Sequence, residues 1–287
     1  MPISEKNQIR PSTLYLVATP IGNLADLSER AIKVLTEVDF IAAEDTRNTG
    51  HLLSYLHIQK PLVSYHEHNK RERGESICDR LKAGESCALV TDAGTPAISD
   101  PGEDLVALCA ERGITVTSIP GCCAGITALT LSGLPTRRFT FEVFLSVNKS
   151  ERKKHLDSLK GEVRTMILHE APHKLKATLA DLRETFGDDR RIALCRELTK
   201  LNEEVLRLTL SEAVAYYEEN PPRGEYVLVV EGAGEGSTDT TVFWADMTVP
   251  DHVAHYVAQG MSKKDAIKAA AKDRGVPKNE VYQQVLD

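Results

Sequence analysis

From Thr13 to Val230 the chain alternates between two patterns. Short apolar runs are closed by Gly, Pro, Asn or Asp, and are followed by stretches whose apolar residues recur every third or fourth position. The first pattern reads as a buried strand, the second as a helix with one face on a core. Strands are predicted at Thr13–Ala18, Asp39–Ala43, Pro61–Tyr65, Cys87–Thr91 and Ile114–Ile119. Helices follow them from a capping box at Asp26-Leu27-Ser28-Glu29 to about Val38, then to about Leu56, to about Ala83, near Glu103–Arg112 and near Cys123–Ser132. Strict alternation gives a parallel sheet covered by helices and joined by right-handed crossovers. Ser132-Gly133-Leu134-Pro135 reads as a boundary. Beyond it, strands are predicted at Phe139–Leu145, Val163–Leu168, Ile192–Arg196, Glu203–Leu210 and Tyr226–Val230, with helices at Lys149–Lys160, Pro172–Phe186 and Ser211–Glu219. The excess of strands over helices predicts a mixed sheet. Gly232–Thr238 has linker composition. Asp251–Gln259, Ser262–Arg274 and Pro277–Leu286 then predict three short helices in a helix-turn-helix-like unit. The expected fold is thus α/β, with an N-terminal domain over 1–134, a C-terminal domain over 135–234, and a linker with a small helical tail over 235–287.

The stretch Val90–Gly102, VTDAGTPAISDPG, is where this pattern is least like ordinary structure. Gly94, Pro96, Pro101 and Gly102 can neither prolong the strand nor sit inside a helix. Asp100-Pro101-Gly102-Glu103 predicts a capped helix start with Pro at its first position. A strand, a Gly/Pro crossing and a capped helix make the ligand-bearing edge of an α/β sheet. Its plainer reading is a tight turn.

Composition narrows the class. At 41% apolar and 27% charged residues over 287 positions, the chain is an ordinary globular protein with room for two cores. A net charge of −7 argues against wholesale coating of nucleic acid, though a local basic patch can serve a structured RNA. The opening MPISEKNQIRPST has no apolar core of a signal peptide, and no apolar run reaches the roughly 20 residues of a membrane span. A cytoplasmic protein with reduced, mostly buried cysteines is expected.

Three motifs tempt and fail. His169-Glu170-Ala171-Pro172-His173 matches a zinc-protease pattern, but Pro172 would break the helix that puts both histidines on one face. His66 and His68 lack a third ligand at metal spacing, and Cys122-Cys123 has no partner. No metal is expected. Neither a P-loop nor a dinucleotide fingerprint is present, so the glycine loops suit a ligand without a phosphate cradle, such as an adenosine bearing an amino acid.

Nine segments in order, LYLVATPIGNLADLSERA (Leu14–Ala31), IAAEDTRNT (Ile41–Thr49), SYHEHN (Ser64–Asn69), TDAGTPAISDPG, IPGCCAGITAL (Ile119–Leu129), SGLPTRRF (Ser132–Phe139), HEAPHK (His169–Lys174), RELTK (Arg196–Lys200) and GEYVLVVEG (Gly224–Gly232), carry a resemblance. Together they resemble the ribosomal RNA small subunit methyltransferase I family of the tetrapyrrole methylase-like superfamily. The resemblance implies a two-domain, usually dimeric fold with S-adenosylmethionine between the domains. It also implies methylation of a cytidine ribose 2′-hydroxyl in small-subunit ribosomal RNA. Carried over by position, the cofactor contacts would be Pro20, Ile21 and Gly22; Gly94, Thr95, Pro96 and Ile98; Gly121, Cys122, Cys123 and Ala124; and, from the second domain, Met166, Leu168, Arg196 and Leu198. The chain departs from the family pattern at Glu142–Ser146, where a Gly and a Pro are usual, at His169, often Tyr, and at Cys122-Cys123.

Methyl transfer needs alignment above all, and a modest base suffices for the hydroxyl proton. Glu197 and Lys200 are the candidate catalytic residues, with Glu44 and Asp45 as alternatives. Arg47, Lys70, Arg71, Arg73, Arg137, Arg138, Arg152, Lys153 and Lys154, with Lys263 and Lys264 in the tail, are candidates to grip RNA phosphates. Two rival readings stand beside this one: a superfamily methyltransferase acting on a tetrapyrrole or a protein side chain, and a non-catalytic RNA-binding module.

Overall fold

The first apolar run becomes β1 (Thr13–Val17), which pairs in parallel with β4 (Cys87–Val90) and with β5 (Thr115–Ile119). The computed structural model describes residues 8–234, 244 and 247–286. With β2 (Phe40–Ala43) and β3 (Leu62–Ser64) the order is β3-β2-β4-β1-β5, all parallel. The interior strands β2 and β4 are buried along their whole length, because helices cover both faces. Helices α1 (Glu29–Glu37) and α2 (Thr46–Tyr55) bring Val34, Leu35 and Leu53 onto one face. Helices α3 (Lys70–Lys82) and α4 (Gly102–Glu111) bring Ile77, Leu81 and Leu105 onto the other.

Two predicted helix starts shift. Asn23 caps a 3₁₀ turn at Leu24–Asp26, and Ser28 then caps α1 through the Ala31 N–H at 3.1 Å, so Asp26 is spent in the turn. At α4, Pro101 precedes the helix instead of opening it. The Asp100 carboxylate accepts the N–H groups of Ala97 and Gly102, at 3.0 and 2.7 Å, and so ties the incoming loop to the first turn. The Glu103 N–H goes to the Asp100 carbonyl, and the reciprocal box does not form.

The second sheet contains β6 (Phe139–Phe144), β7 (Thr165–Glu170), β8 (Arg191–Arg196), β9 (Glu204–Thr209) and β10 (Tyr226–Val230), ordered β6-β7-β10-β8-β9. Only β6–β7 is parallel, so the sheet is mixed, as expected. Its outer face is covered by α6 (Lys149–Ser158), α7 (Pro172–Phe186) and α8 (Leu210–Glu219). The other face is covered by α5 (Ala124–Ser132), whose Ala128 and Leu129 pack on Ile167, Ala193, Cys195 and Val229. The helix assigned by sequence to the first sheet therefore serves the second. Strand β6 carries a bulge between Phe141 and Val143, and Val143 has φ +56°, at the segment where the family pattern is broken.

One compact unit runs through Gly232, and both sheets belong to it; a second begins at Ala233. The second contains α9 (Val249–Ala258), α10 (Lys263–Arg274) and α11 (Lys278–Leu286) around Val253, Ile267, Ala270 and Val281. Most of the expected linker, from residue 235, lies outside the described residues. Among the described residues all six cysteines are free, no cluster of side chains could hold a metal, and no helix is long and apolar enough to cross a membrane.

Candidate functional site

Past the ends of β1, β4 and β5, three loops fasten to one another. Thr19 and Gly94 exchange backbone hydrogen bonds at 2.9 and 3.0 Å, and the Thr95 hydroxyl donates to the Cys122 carbonyl at 2.9 Å. Their glycines have packing duties. A Cβ on Gly121 would lie 2.8 Å from the Ala18 Cβ, and one on Gly22 would lie 2.4 Å from Lys200 Cγ and 3.2 Å from the Leu198 carbonyl. Gly94, at φ +85°, turns the chain at the bridge itself. The bare backbone anticipated for a ligand thus lets loop meet loop, and it lets the first sheet touch the corner after β8.

Between these loops and the second sheet lies a crevice of about 420 Å³. Ile21, Ala93 and Ala124 line one wall; Phe144, His169, Cys195, Leu198 and Val227 line the other. Glu197, Lys200 and Glu225 close one side. Lys200 Nζ donates to Glu197 Oε1 at 2.9 Å and to Glu225 Oε2 at 2.8 Å, and the Glu225 N–H donates to Glu197 Oε1 at 3.0 Å. The corner is strained: Glu197 and Thr199 have φ of +50° and +67°, in the left-handed region that non-glycine residues avoid.

The charges here are set by these contacts. The Glu225 N–H, then the Lys200 ammonium, hold the Glu197 carboxyl below the usual range, while the Glu225 carboxylate pushes Lys200 up. Both catalytic candidates reach the crevice, but as a locked ion pair. His169 behaves differently. Burial pushes its imidazole down, opposed only by the Glu225 charge, and its buried Nε2 has no hydrogen-bond partner. Phe141 and Phe144 flank the ring, each 5.5 Å away.

Other predicted contacts fall elsewhere. The side chains of Met166 and Leu168 point into the core under α7, since β7 alternates and Ile167 and His169 take the opposite face. Arg196 pairs with Glu204 at 3.1 Å, and Ile98 is exposed outside the crevice lining. Gly22, Thr95, Pro96 and Gly121 are not among the crevice's lining residues, and of Cys122, Cys123 and Ala124 only Ala124 lines it. Burial pushes the Cys122 thiol up, away from the thiolate. Pro20 turns away into a neighbouring cavity with Thr19, Thr91 and Asp92. Sequence reasoning missed Phe144, Cys195, Glu225 and Val227 as lining residues, and met His169 in the zinc-like motif and as a departure from the family pattern without giving it a role. Counting parity along β7 back from Glu170 would have put His169 on the inner face.

Among the alternative bases, Glu44 accepts from Thr91 at 2.7 Å and Asp45 caps α2, held down to about 2 by the Arg47 guanidinium and N–H. The basic candidates divide. Arg47 is engaged by Asp45, Lys70 by Glu67 and Asp104, and Arg152 by Asp181 at 2.6 Å. Lys153 reaches Glu184 only at 3.9 Å. Among the described residues Arg71, Arg73, Lys154, Lys263 and Lys264 form no ion pair and are exposed. Glu170, within the zinc-like motif, accepts the Thr178 hydroxyl and the Ala171 N–H, and α7 begins at Pro172, so the two histidines do not share a helix face.

Residues 13–214 match the family described as Tetrapyrrole (Corrin/Porphyrin) Methylases. The chain is 51% identical over 270 residues to a ribosomal RNA small subunit methyltransferase I of Halalkalibacterium halodurans, covering 94% of this chain and 93% of that one. It is 50% identical to the protein of that name from Bacillus subtilis, covering 94% and 92%. Similar solved structures include diphthine synthase, with TM-score 0.58 and 15% identity over 77% of this chain and 90% of that one. Another is a Thermus thermophilus uroporphyrin-III C-methyl transferase complexed with S-adenosyl homocysteine, with TM-score 0.52 and 19% identity over 78% and 97%. At those identities the solved structures speak to the fold alone.

Proposed function

Because the chain belongs to the ribosomal RNA small subunit methyltransferase I family, within the tetrapyrrole methylases, we propose that it methylates the ribose 2′-hydroxyl of a cytidine in small-subunit (16S) ribosomal RNA. It is an S-adenosylmethionine-dependent methyltransferase.

The observation that carries the reading is the crevice. Its volume of about 420 Å³ falls in the range of small-molecule sites. Apolar walls from both sheets suit an adenosyl body. Glu197 and Glu225 outnumber Lys200, a charge balance that favours a ligand bearing ammonium and sulfonium groups. His169 Nε2 offers an unsatisfied polar atom in the wall. The residues present therefore fit the cofactor. S-adenosylmethionine supplies an electrophilic methyl carbon. The chain's own residues bind, exclude water and orient, which can be worth on the order of 7–11 kcal/mol of barrier.

Proton removal does not fall to Lys200, which stays protonated, and Glu197 is weakened as a base by the hydrogen bonds it accepts from the Glu225 N–H and Lys200. Of the lining groups, His169 is the imidazole that burial keeps in its neutral form, with an unpartnered Nε2 in the wall. Arg71, Arg73 and Lys154, exposed and without an ion pair among the described residues, suit contact with phosphates, which position RNA without reading it. The chain is read as a cytoplasmic homodimer. The edge strand β6 exposes Phe139 and Phe141, an apolar strip that a second copy would cover.

Mass mapping of small-subunit ribosomal RNA from a strain lacking the protein tests the reading. One cytidine ribose methyl is expected to be missing, and purified protein with S-adenosylmethionine is expected to restore it. A full set of ribose methyls in that strain would overturn it.

A further inference from the structure

The bridge between Thr19 and Gly94 separates two cavities. Successive residues on each loop face opposite ways: Ile21 and Ala93 line the crevice, whereas Pro20 and Asp92 line a second cavity of about 290 Å³. The second cavity is completed by Leu24 and by the exposed side of α2, with Asn48, His51, Leu52 and Tyr55.

Three features of this cavity call for a planar polar ligand. Its apolar surfaces are open to solvent: Tyr55 is 61% exposed and Leu24 44%. Its polar groups are uncommitted: among the described residues the side chains of Asn48, His51 and Asp92 make no hydrogen bond and no ion pair. Lastly, it shares two loops with the crevice, so a ring held in one would place its attached sugar beside the other. The volume accommodates one base and is too small for a tetrapyrrole macrocycle.

We propose that this cavity receives the flipped target nucleobase, with Tyr55 as its stacking platform and Asp92 accepting a hydrogen bond from an exocyclic amino group. An enzyme acting on one nucleotide within folded RNA must draw it out of its stack, and stacking on an aromatic side chain recovers much of that loss. A carboxylate acceptor distinguishes cytosine, which offers an amino group, from uracil, which offers a carbonyl oxygen at the same place. Arg47, whose guanidinium feels the Asp92 charge and is held by Asp45, stands at the N-terminus of the same helix. The assignment rests on the reaction read for the crevice and adds the residues that choose its substrate.

Methyl transfer to undermethylated small ribosomal subunits, measured beside S-adenosylmethionine affinity by calorimetry, tests it. Tyr55→Ala should raise KM for the subunit roughly tenfold, in line with the loss of one stacked base, with cofactor affinity unchanged. Tyr55→Phe, which keeps the ring, should restore it. Asp92→Asn should retain fold and cofactor binding but lose discrimination between subunits carrying cytidine and uridine at the target. Wild-type kinetics in both Tyr55→Ala and Asp92→Asn would overturn this assignment alone. A wild-type protein that binds cofactor yet transfers no methyl to the subunit would overturn the reaction as well.

Discussion

His169 illustrates how a side chain's surroundings fix its charge. The imidazole sits next to the last residue of β7 between two phenyl rings, with one ring nitrogen buried and unpartnered, so the cation is disfavoured and the neutral form prevails. Its folded pKa lies below the ordinary 6.5. The folded state therefore binds fewer protons than the unfolded state between those two values, and stability rises with pH there. The contribution is complete above about pH 6.5 and is lost as pH falls through the folded value. Melting temperatures of wild type and His169→Phe between pH 8 and 5 are expected to diverge, with the wild type falling on the acid side by a step that the variant lacks. His252, also pushed down by burial, is common to both proteins and cancels in the difference. Parallel curves would mean that His169 is not held neutral. The carboxylates held below their usual range, Glu197, Glu162 and Asp39 among them, titrate at still lower pH and leave this window clear.

Helix α5 shows what pattern alone leaves open. Its sequence, AGITALTLS, is apolar nearly all round, so periodicity names a helix without naming the face it buries. The structure turns Ala128 and Leu129 onto the second sheet, and Gly125 admits Phe141 and Ile167, to which a Cβ would come within 3.3 and 3.5 Å. Leu129→Ala is therefore expected to destabilise the packing on the second sheet by about 2–5 kcal/mol, as a buried cavity does. Urea denaturation followed by near-ultraviolet circular dichroism measures it, and a change below about 1 kcal/mol would remove α5 from that core. Both sheets, their strand types and nearly every helix were legible, because strands buried on two faces and capped helices leave local signatures such as Phe40–Ala43 and Ser262 with Asp265. The loops carrying Gly22, Gly94 and Gly121 were legible for the same local reason. The far wall was not. Phe144, Cys195 and Glu225 come together only when β6, β8 and β10 align, and nothing within a window of sequence records that register. The second cavity escaped likewise, since Tyr55 and Asp92 meet only through the pairing of β2 with β4.

At the scale of the whole chain, a net charge of −7 must be reconciled with an RNA substrate. Attraction then has to be local, and the unit beginning at Ala233 offers the means. Lys263, Lys264 and Lys278 surround a cavity of about 390 Å³ whose apolar side is Ile267, Tyr282 and Val285. Basic side chains beside an exposed tyrosine make a surface for a phosphate with its adjoining base. The three helices have their own small core, and the crevice draws every lining residue from the preceding unit. Removing the chain from Ala233 onward is accordingly expected to leave S-adenosylmethionine affinity unchanged while raising KM for the ribosomal subunit. Because each phosphate contact contributes about one unit to the dependence of log K on log salt, the truncated protein should also show a shallower salt slope. Lys263→Glu with Lys264→Glu in the full chain should reproduce the weaker, less salt-sensitive binding without touching the fold, since both side chains are exposed and form no ion pair among the described residues. Filter binding across a salt series, with calorimetry for the cofactor, separates the two effects. Unchanged slope in both proteins would place the electrostatic grip instead on the exposed Arg71, Arg73 and Lys154.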